Sequence, residues 1–305
     1  MTKFGQSGFA GRVEDLRFLT GQGRYVDDIV PPGALHAVFL RATVAHAEIL
    51  RLDVAAAREA PGVHLVLTAD DLCAGGITLG LNASTVTNRD GTEGAAPLRT
   101  VLAQGRIRHV GEAVAMIVAE TLAAAQDAAD LIGLETGDLP VALSVTGGGP
   151  VIHPEAPGNI AYDWAMGEED AVEAALAASA HRVSLEVVHN RIIVNSLEPR
   201  AAFAEWADGR LHLCVNGQGV WTHKQELVRM LGLSPDAVRV TTPDVGGGFG
   251  MKSMTYPEYI ALAQAARLLS RPLRWASDRT EAMLSDNAGR DLVARAEMGF
   301  DAGHR

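Results

Sequence analysis

Cysteine is scarce in this sequence: the 305 residues hold two, Cys73 and Cys214. They lie far apart among apolar neighbours, which argues against a disulfide and for a reduced, cytoplasmic setting. Two thiols also cannot hold an iron–sulfur cluster, which takes four thiolates. If the protein moves electrons through such clusters, they sit on another chain. No stretch approaches the roughly 18 apolar residues of a membrane span, and the opening from Met1 to Ala10 has no apolar run of the secretory kind. Lysine and arginine total 26 against 37 acidic residues, a formal charge of −11. That balance excludes the concentrated basic surface a nucleic acid or anionic membrane demands, and scattered acidic charge reads as solubility. There is no Gly-x-Ser-x-Gly elbow, and His36, His46, His189 and His223 have no metal-ligand spacing with one another.

What is present is an ordinary globular composition, 48% hydrophobic, in a chain long enough that two domains are expected. Leu35–Arg41, Val63–Thr68 and Val114–Val118 read as strands, with Asp53 placed to cap a short helix over Val54–Ala60 that Pro61-Gly62 ends. Gly75–Pro97 lacks helical periodicity and reads as a long loop. After Val114–Val118 a helix carries Leu122, Ala125, Ala129 and Ile132 on one face, with Thr121 as its N-cap. Gly147-Gly-Gly-Pro150 interrupts the pattern and marks a boundary. Beyond it, a helix is expected near Glu168–Ala178 and strands at Arg182–His189, Ala201–Trp206, Leu211–Val215 and Val238–Thr242. Thr222 and Gln225 have capping-box spacing for a helix through Leu231, closed by Gly232, and Pro257–Leu269 is a helix with Pro in its first turn. Irregular mixing of strands and helices makes the fold class α+β.

The strongest local motif is Val245-Gly246-Gly247-Gly248-Phe249-Gly250, between a strand and a helix. Its glycines let the backbone approach a ligand with amide N–H groups exposed, although a purely structural turn would read the same way. Dinucleotide binding is disfavoured because Met251 stands where the third glycine of the fingerprint belongs. Gln218, between Gly217 and Gly219, offers an amide that can donate and accept. Arg108-His-Val-Gly-Glu112 could suggest an acid–base pair, but no third partner is visible and a structural role is preferred.

Many short motifs in order resemble the molybdopterin-binding subunit of the xanthine dehydrogenase/aldehyde oxidase family, aerobic carbon monoxide dehydrogenase included. They are Arg12-Val-Glu-Asp15, Phe18–Ile29, Ala45-His-Ala47, Val110-Gly-Glu-Ala-Val114, Asn195-Ser-Leu-Glu-Pro199, Gln218, Gly246–Lys252, Arg271-Pro272 and Asp278-Arg279. The resemblance implies an N-terminal arm over 1–19, an α/β hammerhead domain over 20–145, a linker over 146–156 and a first molybdopterin-binding domain over 157–305. It implies hydroxylation with water as the oxygen source, on an N-heteroaromatic or aldehyde-type small molecule. It also implies a molybdenum–pterin cofactor, with [2Fe-2S] and FAD on partner subunits. Gln218 matches the glutamine that hydrogen-bonds the metal's oxygen ligand. Gly247, Gly248, Phe249 and Gly250 match the loop packed against the metal centre, with Phe249 standing 31 positions after Gln218, a separation similar to the family's. Ser253, the expected substrate-facing position, stands where xanthine-type enzymes carry a glutamate, which weakens a purine assignment.

No position matches the family's catalytic glutamate, since neither Glu198 nor Glu258 fits its motif, so no catalytic residue is assigned. The expectation is a component of a molybdenum hydroxylase completed by a C-terminal-half molybdenum subunit. The alternative is a non-catalytic truncated remnant or interaction subunit, and a nicotinamide-dependent dehydrogenase is a weaker option. Leu292–Phe300 alternates as a half-buried strand followed by a turn at Asp301-Ala-Gly303, and its edge is expected to need a strand from a second polypeptide.

Overall fold

The structure is a computed structural model that describes residues 11–77, 80–81 and 85–305. The reading of residues 1–10, and of part of Gly75–Pro97, lies outside the described residues. A short helix α1 (Asp15–Leu19) precedes β1 (Leu35–Arg41), β2 (Ala47–Asp53) and the single turn α2 (Ala55–Arg58). Then follow β3 (Val63–Leu67), α3 (Ala69–Ala74), β4 (Arg106–Ile107), β5 (Ala113–Ala119), α4 (Leu122–Asp130) and β6 (Gly133–Asp138). The caps explain where helices begin: Thr121 Oγ1 accepts from Ala124 N at 3.1 Å, and Thr68 Oγ1 accepts from Asp71 N at 3.3 Å. All of β5 is buried, so it is covered on both faces, which is why it reads as an unbroken apolar run rather than an alternation. α4 lays the small residues Ala125 and Ala128 against β1 and β5.

The second half runs α5 (Glu169–Ala178), β7 (His181–His189), β8 (Ala201–Ala207), β9 (Arg210–Val215) and α6 (Trp221–Leu231). It continues through β10 (Val238–Thr241), α7 (Pro257–Leu269), β11 (Leu273–Ala276), α8 (Arg279–Ser285) and β12 (Leu292–Phe300). Seven strands form one sheet in the order β10-β9-β8-β11-β1-β5-β3, so strands from both halves share it. The seam is the parallel pairing of β1 with β11, Leu35 opposite Leu273. α7 packs across this sheet and is buried from Pro257 to Ala266. Two smaller sheets, β4-β2-β6 and β12-β7, complete the strands. This is the mixed α+β architecture expected.

Two expectations change. Thr222 and Gln225 do not cap α6: the helix starts one residue earlier, at Trp221, its N-cap position is Val220 and no side chain caps it. Gly219, at φ +117°, turns the chain in ahead of it. Gly232 does close this helix, at φ +61°. β12 is neither half-buried nor unpartnered: it pairs antiparallel with β7 over its whole length, Leu292 opposite His189 through Phe300 opposite His181. Most of this ribbon is exposed on both faces. Glu112, in turn, is structural: its Oε2 accepts from Arg108 N at 2.6 Å.

A buried ionic cluster locks the seam. Arg200, fully buried, donates to Asp286 Oδ1 at 2.5 Å, Glu258 Oε2 at 3.0 Å and Ser285 Oγ at 2.7 Å, and stacks 3.7 Å above the Tyr256 ring. Arg41, from β1, reaches Glu258 at 2.7 Å and Glu281 at 2.6 Å. Burial alone would raise the Glu258 carboxyl, but Arg200 and Arg41 outweigh it and hold it well below the ordinary carboxylate range. The half-buried Glu281 is instead pushed up, because desolvation, with the Glu258 charge beside it, outweighs Arg41 and Arg200.

Candidate functional site

Three loops meet beside the C-terminal ends of β9 and β10. The first, Asn195–Pro199, leads into β8; the second, Asn216–Gly219, joins β9 to α6; the third, Gly246–Ser253, precedes α7. Buried Asn216 ties the second loop to the first, its Oδ1 accepting from Ala201 N at 3.0 Å and its Nδ2 donating to Pro199 O at 2.7 Å. His223, one turn into α6, lies directly beneath Gly217, where a Cβ would fall 2.8 Å from its Nε2. Burial lowers its pKa, so the imidazole is neutral at neutral pH, and its Nδ1 pairs with Thr255 Oγ1 at 2.9 Å.

Gln218 is fixed to the glycine loop at two points. Its backbone N donates to Lys252 O at 3.0 Å, and its side-chain Oε1 accepts from Gly250 N at 2.8 Å. Only an oxygen can accept that N–H, so the orientation of the amide is determined: its NH2 group is turned away from the loop as a donor, on an exposed residue. Gly248 must lack a side chain, because a Cβ there would lie 2.5 Å from Gln218 Oε1. Gly247, at φ +101°, lets the chain fold the Phe249 ring back across it, and Phe249 itself takes φ +51° with its side chain 78% exposed as a residue. Such positive-φ strain in a non-glycine residue costs of order 1–3 kcal/mol and concentrates at ligand sites.

The structure thus brings Gln218, Phe249 and Gly250 together on one open surface, with Gly247 half-buried and Gly248 buried against them. Ser253 lies at its margin, but its hydroxyl donates to Gly250 O at 2.5 Å and closes the turn instead of pointing outward. Three residues that the motifs contain, but to which the sequence assigned no role, hold the loops in place. Arg279 at the start of α8 holds the first loop by its guanidinium, 2.6 Å from Asn195 Oδ1 and 2.7 Å from each of Ser196 O and Leu197 O. Glu198 accepts from Gly246 N at 2.7 Å, and Lys252 Nζ lies 2.8 Å from Glu198 O and 3.2 Å from its Oε2. A lysine in an apolar setting and a glutamate just before a proline were the available signals.

Among the described residues no group of three or more His, Cys, Asp or Glu could hold a metal ion. What the surface offers a metal centre is an outer hydrogen-bond donor, the Gln218 amide. An exposed amide, an exposed aromatic ring and left-handed glycines that permit close approach fit a bulky, metal-carrying cofactor. Among the described residues no helix is long and apolar enough to cross a membrane.

Comparison with known proteins gives the same outline. Residues 20–140 match the aldehyde oxidase and xanthine dehydrogenase a/b hammerhead domain, and residues 152–305 match the molybdopterin cofactor-binding domain. The chain is 39% identical over 299 residues to the nicotine 6-hydroxylase large subunit of Paenarthrobacter nicotinovorans, covering 95% of this chain and 35% of that protein. It is 30% identical over 303 residues to the carbon monoxide dehydrogenase large chain of Hydrogenophaga pseudoflava, covering 93% and 36%. The crystal structure of quinoline 2-oxidoreductase from Pseudomonas putida 86 superposes with a TM-score of 0.86 at 33% identity, covering 95% of this chain and 37% of that one. The chain spans about a third of the length of these relatives.

Proposed function

The chain belongs to the aldehyde oxidase and xanthine dehydrogenase family of molybdenum oxidoreductases, and from that premise we propose that it supplies one wall of the molybdenum-cofactor pocket of a hydroxylase acting on N-heteroaromatic compounds. The observation that carries the reading is the exposed Gln218 amide, whose Oε1 is held by Gly250 N–H so that its NH2 group is left as a donor facing away from the loop. When bound, a molybdenum–pterin cofactor supplies the oxygen-transfer chemistry, with water as the oxygen source. Gln218 would hold such a cofactor through its preorganised amide donor, and the Gly247–Gly250 backbone would admit it at close range. The Phe249 ring offers a flat apolar face to a planar substrate.

Two relatives support the substrate class, since one is named for nicotine and another for quinoline, both N-heterocycles. Ser253 in place of a loop carboxylate disfavours purines. The surface is open, so the remaining walls come from residues beyond those described. In this reading Cys73 and Cys214 ligate no cluster, and [2Fe-2S] and FAD are assigned to partner subunits. The test is to purify the holoenzyme, quantify molybdenum, and oxidise quinoline or nicotine in 18O-labelled water. Stoichiometric molybdenum and label in the hydroxylated product are expected. Absence of molybdenum, or oxygen drawn from O2, would overturn the reading.

A further inference from the structure

Both ends of the glycine loop are fastened to a single residue. At its start, Gly246 N donates to Glu198 Oε2 while Glu198 N donates to Gly246 O at 3.1 Å. The approach is so close that a Cβ on Gly246 would lie 2.5 Å from Glu198 Cβ. At its end, the Lys252 side chain is wholly buried and sets its ammonium against both the carbonyl and the carboxylate of Glu198. The middle of the loop holds Gln218 by two bonds, one of them to the carbonyl of Lys252 itself. A shift of Lys252 moves directly the carbonyl that holds the Gln218 backbone N, and bears on the side-chain Oε1 through Gly250, two residues earlier in the same loop.

We propose that Glu198 and Lys252 are positioning residues that act through Gln218, a buried ion pair that sets the direction of the amide donor at the cofactor face. The inference rests on the functional reading of Gln218 given above. Burial lowers the pKa of the Lys252 ammonium and Glu198 opposes that shift, so the pair is interdependent. Glu198 Oε2 carries both the Gly246 and the Lys252 contact, whereas Glu198 Oε1 is buried and receives no hydrogen bond from a described residue. Loss of the Glu198 charge thus weakens the side-chain contact at each end of the loop and loss of the Lys252 charge frees the far end, while the bond from Glu198 N to Gly246 O remains in both. Among the described residues the neighbouring Arg200 cluster shares no hydrogen bond with Gln218, Glu198 or Lys252, although Tyr256, stacked against the Arg200 guanidinium, donates to Met251 O of the loop at 3.0 Å.

The test uses the holoenzyme with Glu198→Gln, with Lys252→Met, and with the neutral pair of both, each alone and combined with Gln218→Ala. Molybdenum content, melting temperature, amide hydrogen exchange over residues 244–254, and kcat and KM are measured for each. The neutral pair avoids leaving a buried unpaired charge. If it does not fold, Glu198→Gln alone, which keeps an acceptor, carries the same readouts. Expected are wild-type molybdenum content, faster exchange at Gly246 and Gly250, and a kcat lowered about tenfold or more with KM nearly unchanged. Adding Gln218→Ala should then bring no further loss, because residues acting through one group are not additive. Retained protection of those amides, or losses that multiply with that of Gln218→Ala, would overturn the clamp alone. If Gln218→Ala by itself turns over like wild type at full molybdenum content, the reading of the site falls, and the role of the clamp falls with it.

Discussion

Replacing Glu258 with glutamine removes the carboxylate that two arginines share, Arg200 at 3.0 Å and Arg41 at 2.7 Å. The side chains of Arg200 and Glu258 are 0% and 3% exposed, so solvent screens little of the loss. Breaking one member out of a buried pair costs roughly 3–5 kcal/mol, because the partner charge is left behind. Here each arginine keeps a second acid, Arg200 holding Asp286 and Arg41 holding Glu281, which points to the low end, about 3 kcal/mol. At roughly 2–4 °C per kcal/mol for a chain of this size, melting should fall by about 6–12 °C. Urea unfolding followed by circular dichroism, with and without the substitution, measures it directly. The sign with pH follows from the depressed carboxyl: its stabilisation is present above the unfolded glutamate value, about 4.3, and is lost as pH falls through the lower folded value. The gap between the two proteins should therefore be constant above about pH 5 and narrow in stronger acid. A loss under about 1 kcal/mol at pH 7 would refute the claim that this cluster holds the seam.

Gln218→Ala in the holoenzyme should leave melting and molybdenum content unchanged while turnover drops by about 10²–10³, read by steady-state kinetics. Gly246→Ala should disorder the loop, since a Cβ would collide with that of Glu198, and faster exchange over 244–254 would report it. Asp244, bound by Arg17 and by Arg24 N at 2.7 Å, has a carboxyl held down at about 2. Its tether of the N-terminal segment should persist above the unfolded aspartate value and be lost as pH falls toward about 2; Asp244→Asn should abolish this transition in NMR spectra of the Arg24 amide. Cys214 is buried, with a thiol pushed up by desolvation, so in the native chain a thiol reagent should label Cys73 first, as peptide mapping would show.

Legibility followed the range of the interactions. The bounds of α7 were readable because proline opens the helix and apolar residues fill every turn, and β5 because its burial leaves no polar residue within it. The glycine loop and Gln218 were visible as local signals whose chemistry came from the family resemblance. Distant pairings were not readable: β12 finds β7 across about a hundred residues of chain, and nothing in Leu292–Phe300 identifies that partner. Glu198 and Lys252 are likewise 54 residues apart and gain their meaning only where the two loops meet. Thr222 misled because a capping box needs its threonine just outside the helix, and α6 had already begun at Trp221.

The central claim concerns one donor and its direction, and a crystal structure of the molybdenum-loaded enzyme measures it most directly. Gln218 Nε2 is expected within about 2.7–3.2 Å of an oxygen ligand of the metal, with Oε1 still accepting from Gly250 N. A separation beyond about 4 Å with no bridging water, or an amide turned so that Nε2 faces the loop, would contradict it.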